Sequence, residues 1–449
     1  MFFSIITTAG WILYAVFIIF FVIFAFYSAL EREKRALRHS LAVLFLLGGS
    51  AGLLFLMKGV GLVFFLFLNS IVLILLFSFL FSGRPSQGIV ISGPREREDE
   101  RDIIFARFDL LPGDNMESYY REHPERKKTD DRIREKPDLF EDTHLQKAPW
   151  TMTLGAAEFD FLENQLSFVS GPVNRSKTDV DKNVASARIK SILSHLGAAD
   201  SGICALDAAD LYSHVGRGPQ PYGEPIKNSH PFAIAFAVEM TYDMIRCAPR
   251  APVIVETARR YVDAARISIV LASMIRRLGY DARAHIAGSN YQAMCVPVAW
   301  KAGLGEVGRM GILITPRLGP RVRLGMVTTD MPLVTDRPVV FGVQDFCRRC
   351  LKCAKNCPSG AISTGEPEEE NGSIRWLINR ENCFDYWRTV GTDCSRCLFV
   401  CPYSKPDNLF HRVVRQAVRS SHAAQKIAVL GDDFFYGRKP IAKKSMLFD

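Results

Sequence analysis

Eight of the 11 cysteines fall between residues 347 and 401, and their spacing is the most chemically specific feature of the chain. The first run is Cys347-x2-Cys350-x2-Cys353-x3-Cys357, closed by Pro358. The second is Cys383, then, after a ten-residue gap, Cys394-x2-Cys397-x3-Cys401, closed by Pro402. Thiolates spaced in this way hold [4Fe-4S] cubanes: three in a tight loop cap one cluster, and the Cys before Pro reaches across to its neighbour. The assignment is therefore Cys347, Cys350, Cys353 and Cys401 on one cluster, with Cys357, Cys383, Cys394 and Cys397 on the other. Zinc also uses C-x2-C pairs, but it has no use for the -x3-C-P tails, and a tail on both runs marks two clusters. Cluster ligation needs reduced thiolates, which points to a reducing compartment rather than a disulfide framework. Cys204, Cys247 and Cys295 are left over and read as buried small apolar residues. These cysteines describe a wire, not what it feeds.

A second candidate stretch, 302–311, reads AGLGEVGRMG, and Gly303-x-Gly305-x-x-Gly308 matches the dinucleotide fingerprint literally. That fingerprint needs a strand before it and a helix after it, so that pyrophosphate sits on the helix N-terminus. Here the preceding residues Val296 to Ala302 read as helix and Ile312 to Thr315, closed by Pro316, as strand. The context is inverted, which argues against NAD(P). Two readings remain: a tight turn from helix to strand, or a backbone that lets a flat cofactor approach because glycine lacks a Cβ.

The elements that must position these groups divide by composition. In a chain of 449 residues, residues 1–82 are nearly all apolar, while the remainder has the composition of a soluble globular protein. Ser4 to Leu30 is uncharged and exceeds the roughly 20 residues that cross a bilayer core. Two further apolar stretches, 41–57 and 59–81, flank Lys58. Neither a cleavable signal pattern nor a twin-arginine motif is present. The basic stretch Glu31 to Ser40 then lies in the cytoplasm by the positive-inside rule, and so does the chain after Phe81. The formal charge of +9 comes without a long Lys/Arg block, so it reads as a solvated basic surface rather than a nucleic-acid groove.

Beyond the apolar region, 83–147 is a polar connector with a short helix near Met116 to Glu122. Helical periodicity marks Val184 to Leu196 and Glu256 to Leu278, the latter carrying Tyr261, Ala265, Leu271, Ile275 and Leu278 on one face and ending at Gly279. Phe232 to Glu239, Asp281 to Ile286, Ile312 to Thr315 and Val322 to Val327 read as strands. Leu409 to Val429 reads as one helix, followed by an aromatic tail of Phe434, Phe435 and Tyr436.

The order of motifs resembles the reductive dehalogenases, corrinoid and iron–sulfur enzymes that remove halide from organohalides. The resemblance runs through Tyr119-Tyr-Arg-Glu-His-Pro124, Thr129-Asp-Asp-Arg-Ile-Arg134, Gly202-Ile-Cys-Ala-Leu206 and Val238-Glu-Met-Thr-Tyr-Asp243. It continues in Ala302-Gly-Leu-Gly-Glu306, Leu313-Ile-Thr-Pro316, Gly319-Pro-Arg-Val-Arg323, Thr328-Thr-Asp330, both Cys runs and Asp432-Asp-Phe-Phe-Tyr-Gly437. It implies an α/β (α+β) corrinoid-binding, nitroreductase-like core with a bacterial two-[4Fe-4S] ferredoxin-like domain, preceded by transmembrane helices. The implied order is a membrane anchor at 1–82 (helices 4–30, 41–57 and 59–81) and a connector at 83–149. A corrinoid-binding catalytic domain at 150–335, a ferredoxin-like domain at 336–408, and a C-terminal helix and tail at 409–449 follow.

By the same resemblance the corrinoid is bound base-off, without a lower His; the D-x-H-x-x-G motif is absent, Asp142-Thr-His144 having Lys147 where Gly is required. Gly303, Gly305 and Gly308 would border the corrinoid. Tyr261 would donate the proton, and Arg323 (or Arg321 in a slipped register) and Asn290 would line the substrate side. A free phenol titrates near 10, and a nearby guanidinium lowers that value while burial opposes it. The implied partners are a small organohalide, a low-potential donor such as a ferredoxin, flavodoxin or membrane reductase, and the lipid bilayer. Respiratory members of the family are exported and held by a separate anchor protein. This chain reads instead as a multi-pass inner-membrane protein whose catalytic part faces the cytoplasm. Two alternatives stand beside this reading: an epoxyqueuosine reductase-like corrinoid enzyme acting on tRNA, and a membrane-anchored iron–sulfur electron carrier with no substrate of its own.

The crossed ligand assignment predicts that Cys394→Ala damages the cluster of Cys357, Cys383 and Cys397 and leaves the other largely built. Electron paramagnetic resonance of the reduced protein, showing loss of both clusters or of neither, would count against it. The charge asymmetry predicts Asp449 in the cytoplasm and Met1 outside. A C-terminal reporter active only in the periplasm would replace the three-span reading with a two-span one.

Overall fold

The computed structural model describes residues 2–56, 60–81, 88–287, 291–445 and 448. The chain forms two compact units, each discontinuous in sequence: 1–87, 345–350 and 405–440 in the first, and 88–344, 351–404 and 441–449 in the second.

In the first unit the apolar region folds as three helices, Phe2–Leu30, Lys34–Leu56 and Val60–Phe81. The expected charged loop is shorter than its sequence suggests. Only residues 31–33 link the first two helices, and Lys34, Arg35 and Arg38 already lie on the second. The three expected stretches are met as helices, and among the described residues no helix is long and apolar enough to cross a membrane. Lys58 and residues 82–87 lie outside the described residues.

The single helix expected at 409–429 is two, Leu409–Ser420 and His422–Tyr436. Ser421 breaks them because its hydroxyl accepts the Ala424 N–H at 3.3 Å and caps the second. The aromatic tail is the last turn of that helix. Its Phe435 ring meets Phe24 edge-on at 4.7 Å, and Phe410 stacks on the same ring at 4.5 Å. Buried Glu31 accepts from Asn408 and lies 3.1 Å from His411 Nε2.

The second unit is built on a four-stranded antiparallel sheet in the order Asp200–Ala205, Phe232–Glu239, Val322–Thr329, Ala282–His285. The strand Phe232–Glu239 alternates large and small residues, and the alternation sorts its two faces. Ile234, Phe236 and Val238 join Leu271, Ile275 and Ala264 of the long helix Pro252–Arg277 in one core. Ala233, Ala235 and Ala237 join Val298 and Ala299 of the short helix Cys295–Lys301, with Leu304 and Leu313, in a second core on the opposite face. The sheet is therefore covered on both sides, and the antiparallel ladders make the core α+β.

Phe236 lies opposite Gly325, and a Cβ at 325 would come within 2.2 Å of the Phe236 ring. The polar connector is more ordered than its composition suggests. It forms helices Ile104–Asp109, Asp114–Glu122 and Pro124–Arg134 around buried Arg107, Asp130, Tyr119 and Tyr120. Its charges satisfy one another: Arg107 lies 3.5 Å from Asp130 and 2.6 Å from Glu381, and the Tyr120 hydroxyl donates to Asp130 at 2.9 Å.

The Phe236–Gly325 contact predicts strong coupling in stability. Phe236→Ala is expected to cost about 3 to 5 kcal/mol, and Gly325→Ala about 1 to 3 kcal/mol through overpacking. The Gly325→Ala cost should largely vanish in the Phe236→Ala background. Denaturant unfolding of the four proteins measures this, and simple additivity would refute it.

Candidate functional site

The cysteine runs fold into tight turns between short helices, Val343–Cys350, Lys352–Lys355, Arg380–Val390 and Arg396–Val400. Leu351, Cys394 and Ser395 take left-handed backbone at φ +52°, +54° and +48°, conformations that cost non-glycine residues energy and cluster at functional sites. Within the second unit Cys357, Cys383, Cys394 and Cys397 stand close enough to disturb one another's ionisation. Burial first, and neighbouring thiols second, push Cys383 up to about 11. Burial, with the charges of Asp393, Cys383 and Cys357, pushes Cys394 up to about 12, although the Arg396 N–H bonds its sulfur. Cys397 rises well above the usual thiol range from the same causes, burial first. Such thiols become thiolates only against cationic metal, which a cubane supplies.

Among the described residues no three His, Cys, Asp or Glu converge as a single metal ion would require. Cys347 and Cys350 fall in the first unit and Cys353 and Cys401 in the second, so their grouping rests on sequence spacing.

Tyr261 lies on the long helix, four residues after Thr257 and therefore on the same face. The strand Val322–Thr329 sets Arg323 opposite Val238 and lays its guanidinium over the Tyr261 ring, 5.2 Å from the centroid. Arg323 Nη2 donates to Thr257 Oγ1 at 2.7 Å and to Asp393 Oδ2 at 2.9 Å. The expected guanidinium–phenol pair is present as a cation over the ring face. Arg321 serves a different purpose. Fully buried, it donates to the Ser404 carbonyl at 2.6 Å and to the Met240 carbonyl, which tethers the cluster-bearing segment to the sheet. Asn290 lies outside the described residues.

Sequence reasoning named Tyr291 only as an alternative proton source and did not group it with Tyr212 and Cys295. Tyr212, Tyr291 and Cys295 are partly buried and stand near one another. The Tyr291 hydroxyl donates to the Cys295 sulfur, and Tyr261 stands close enough to raise Tyr291 further. Burial pushes Cys295 up to about 12 and lifts Tyr291 and Tyr212 well above the usual phenol range. Cys295 is thus partly buried rather than fully buried as expected. Arg217 borders Tyr212 and Tyr291 from within, and also lines an open cleft of about 590 Å³ with Asp109, Leu110, Gly113 and Tyr222. Two phenols within reach of one cysteine and one arginine leave no local sequence pattern; only the fold joins them.

His285 is fully buried at the same sheet, with both ring nitrogens committed. Nδ1 accepts the Gln292 N–H at 3.2 Å, and Nε2 lies 3.0 Å from Thr328 Oγ1. Burial holds its pKa well below the usual histidine value, so the ring is neutral and clamps the segment that carries Tyr291.

The glycine stretch closes a turn between helix Cys295–Lys301 and the paired strands Glu306–Val307 and Leu313–Ile314. Gly303 has φ +80°, and a Cβ there would lie 2.6 Å from the Arg337 carbonyl; at Gly305 it would lie 2.2 Å from the Ile314 carbonyl. Gly308 donates its N–H to the Ile312 carbonyl at 3.0 Å. At 303 and 305 the missing Cβ makes room for the chain's own backbone, a different reason from the cofactor approach expected.

Comparison with known proteins follows this division. Residues 346–405 match the family description "4Fe-4S dicluster domain". A tetrachloroethene reductive dehalogenase of Desulfitobacterium hafniense is 37% identical over 197 residues, 41% of this chain and 35% of its own length. One from Sulfurospirillum multivorans is 35% identical over 222 residues, 48% of this chain and 44% of its own length. An epoxyqueuosine reductase of Bacillus cereus is 32% identical over 113 residues, 24% of this chain and 29% of its own length. The solved catabolic reductive dehalogenase NpRdhA, in complex with 3-bromo-4-hydroxybenzoic acid, shares the fold at a TM-score of 0.65 and 25% identity. That match covers 79% of this chain and 49% of the solved one. A reductive dehalogenase structure described as suggesting a mechanism for B12-dependent dehalogenation gives a TM-score of 0.64 at 27% identity, covering 80% and 49%. The chain spans less than half the length of these dehalogenases. By sequence and by fold, the matched part of the chain is similar to reductive dehalogenases.

Proposed function

We propose that the chain reduces a carbon–halogen bond of a small organohalide, taking up two electrons and one proton and releasing halide. The observation that carries this reading is the Arg323 guanidinium laid over the Tyr261 ring at 5.2 Å, beside the cysteine loop whose Asp393 it pairs with at 2.9 Å. When bound, a base-off corrinoid and two [4Fe-4S] clusters supply the low-valent metal centre and the electrons.

The residues present suit those groups. Cys357, Cys383, Cys394 and Cys397 stand near one another, as the ligands of one cluster would, and the partly buried Tyr212, Tyr291 and Cys295 would give a small substrate a partly polar setting. Tyr261 holds the proton to be delivered. Arg323 sets a positive charge against its ring, and Asn290 orients the substrate. The phenols of Tyr212 and Tyr291 and the Cys295 thiol remain protonated and uncharged, so they do not repel an electron-rich halogen. Gly303, Gly305 and Gly308 shape the turn beside the corrinoid. Cys347, Cys350, Cys353 and Cys401 hold the second cluster.

The N-terminal helices serve as an inner-membrane anchor, with the catalytic unit on the cytoplasmic side and a low-potential ferredoxin, flavodoxin or membrane reductase as donor. The tRNA-directed alternative is weaker, because its relative matches only 24% of the chain against 48% for a dehalogenase. A bare electron carrier would not need the sheet unit. Metal analysis separates these readings: roughly one cobalt per eight irons is expected of a two-cluster corrinoid enzyme. Iron without cobalt would leave the electron-carrier reading, and turnover of modified tRNA without halide release would leave the other.

Tyr261→Phe removes one phenolic proton and keeps the packing, so iron and cobalt content should hold while halide release falls 10²- to 10⁴-fold, roughly 3 to 5 kcal/mol of barrier. Arg323→Lys keeps the charge and loses the planar fork, for an intermediate loss. A fully active Tyr261→Phe with a dead Arg323→Lys would move the proton source elsewhere, to water, Tyr242 or Tyr291.

A further inference from the structure

We propose that Asp393 is a positioning residue that holds Arg323 over Tyr261 from within the cluster loop; its catalytic consequence rests on the dehalogenase reading above. Three donors converge on one oxygen of this carboxylate. Asp393 Oδ2 accepts from Arg323 Nη2 at 2.9 Å, from Thr257 Oγ1 at 2.6 Å and from Ser395 Oγ at 3.2 Å. Thr257 also accepts from Arg323, so threonine, carboxylate and guanidinium close a triangle.

The carboxylate and the threonine are out of solvent, Asp393 being 6% exposed and Thr257 4%, while the Arg323 side chain keeps 16% of its surface. The second carboxylate oxygen and Arg323 Nε are buried without hydrogen-bond partners. An ion pair built for stability would satisfy those atoms, since each orphan costs about 1 to 3 kcal/mol. Here the carboxylate uses one oxygen to fix the direction of one guanidinium. Its own place is fixed by the loop: Ser395 N–H donates to the Asp393 carbonyl at 2.6 Å, Cys394 N–H to Thr392 Oγ1 at 3.2 Å, and Thr392 to the Pro249 carbonyl at 2.8 Å. The residue next to a cluster ligand thereby sets the charge beside the proton donor. Groups set against Tyr261 include Arg323 from the strand, Asp393 behind it and Tyr291, while helix Pro149–Glu163 presents the Phe159 ring and, beside it, Glu158, which lies near the charges of Glu256, Arg260 and Asp263.

The test uses the full chain loaded with its metals. Asp393→Ala removes the acceptor and is expected to lower kcat for halide release about 10- to 100-fold with KM nearly unchanged, and Asp393→Glu should restore most of the loss. Iron content and the reduced-cluster resonance spectrum should be unaltered in both. Asp393→Asn keeps an acceptor and removes the charge that offsets Arg323. The phenolate absorbance assigned to Tyr261, as the difference from the matching Tyr261→Phe protein, should then titrate at lower pH by about one unit. An unmoved titration in Asp393→Asn overturns the proposal, as does an Asp393→Ala protein whose loss of activity tracks its loss of iron. If the wild type releases no halide, the dehalogenase reading fails, and the titration alone decides the role of Asp393.

Discussion

The Phe236 ring lies across Gly325, and the arrangement of the second unit depends on that contact. A side chain at 325 would collide with the ring at 2.2 Å, so glycine there lets two central strands pair while one of them presents a large aromatic residue to the long helix. Register follows from it. With Phe236 opposite Gly325, Val238 faces Arg323 and Ile234 faces Val327. A slip of one residue would send every side chain of the strand to the wrong face. Arg323 reaches Tyr261 only because this register puts it over the helix that the large residues hold down.

Buried guanidiniums do the corresponding work around the cluster-bearing segments. Arg321 holds the Ser404 carbonyl, Arg309 holds the carbonyls of Ser363 and Gly365 at 2.8 and 2.7 Å, and Arg388 donates to the Lys136 carbonyl at 2.6 Å. A planar, permanently charged fork suits this role, since it can satisfy several carbonyls that would otherwise lose water without compensation. Removing one partner from such a contact leaves a buried charge or carbonyl exposed to the low dielectric, at a cost of a few kcal/mol. The cluster loops are thus held by groups whose loss the unit cannot absorb locally.

The residues around Tyr291 follow a different principle. Tyr212, Tyr291 and Cys295 are protonated and neutral because burial penalises their charged forms. Near them His285 is neutral because burial disfavours its charged form and its two nitrogens are committed. Arg217, Glu100 and Glu98 bring charge near Tyr212.

The cysteine spacing, the helices at Val184 to Leu196 and Glu256 to Leu278 and the strand Phe232–Glu239 were legible in the sequence, because each depends on local periodicity or on ligands close along the chain. Tyr261 and Arg323 could be named from motif order, and the sheet register brought them together. The sequence did not show that the long helix expected after residue 409 breaks at Ser421. There a hydroxyl finds the orphan N–H of the next helix, a choice that apolar periodicity does not record. Nor did it show the order hidden in the polar connector, where Arg107, Asp130 and Glu381 stabilise one another across more than 200 residues of chain. The glycines of the 303–308 stretch looked like a place for a ligand, but at 303 and 305 they accommodate carbonyls from Arg337 and Ile314. Thr257 and Asp393 are a pair only in space. Spacing along a chain encodes what one turn or one loop can do; a site assembled from helix, strand and loop depends on register and packing, and those are decided only when the tertiary structure forms.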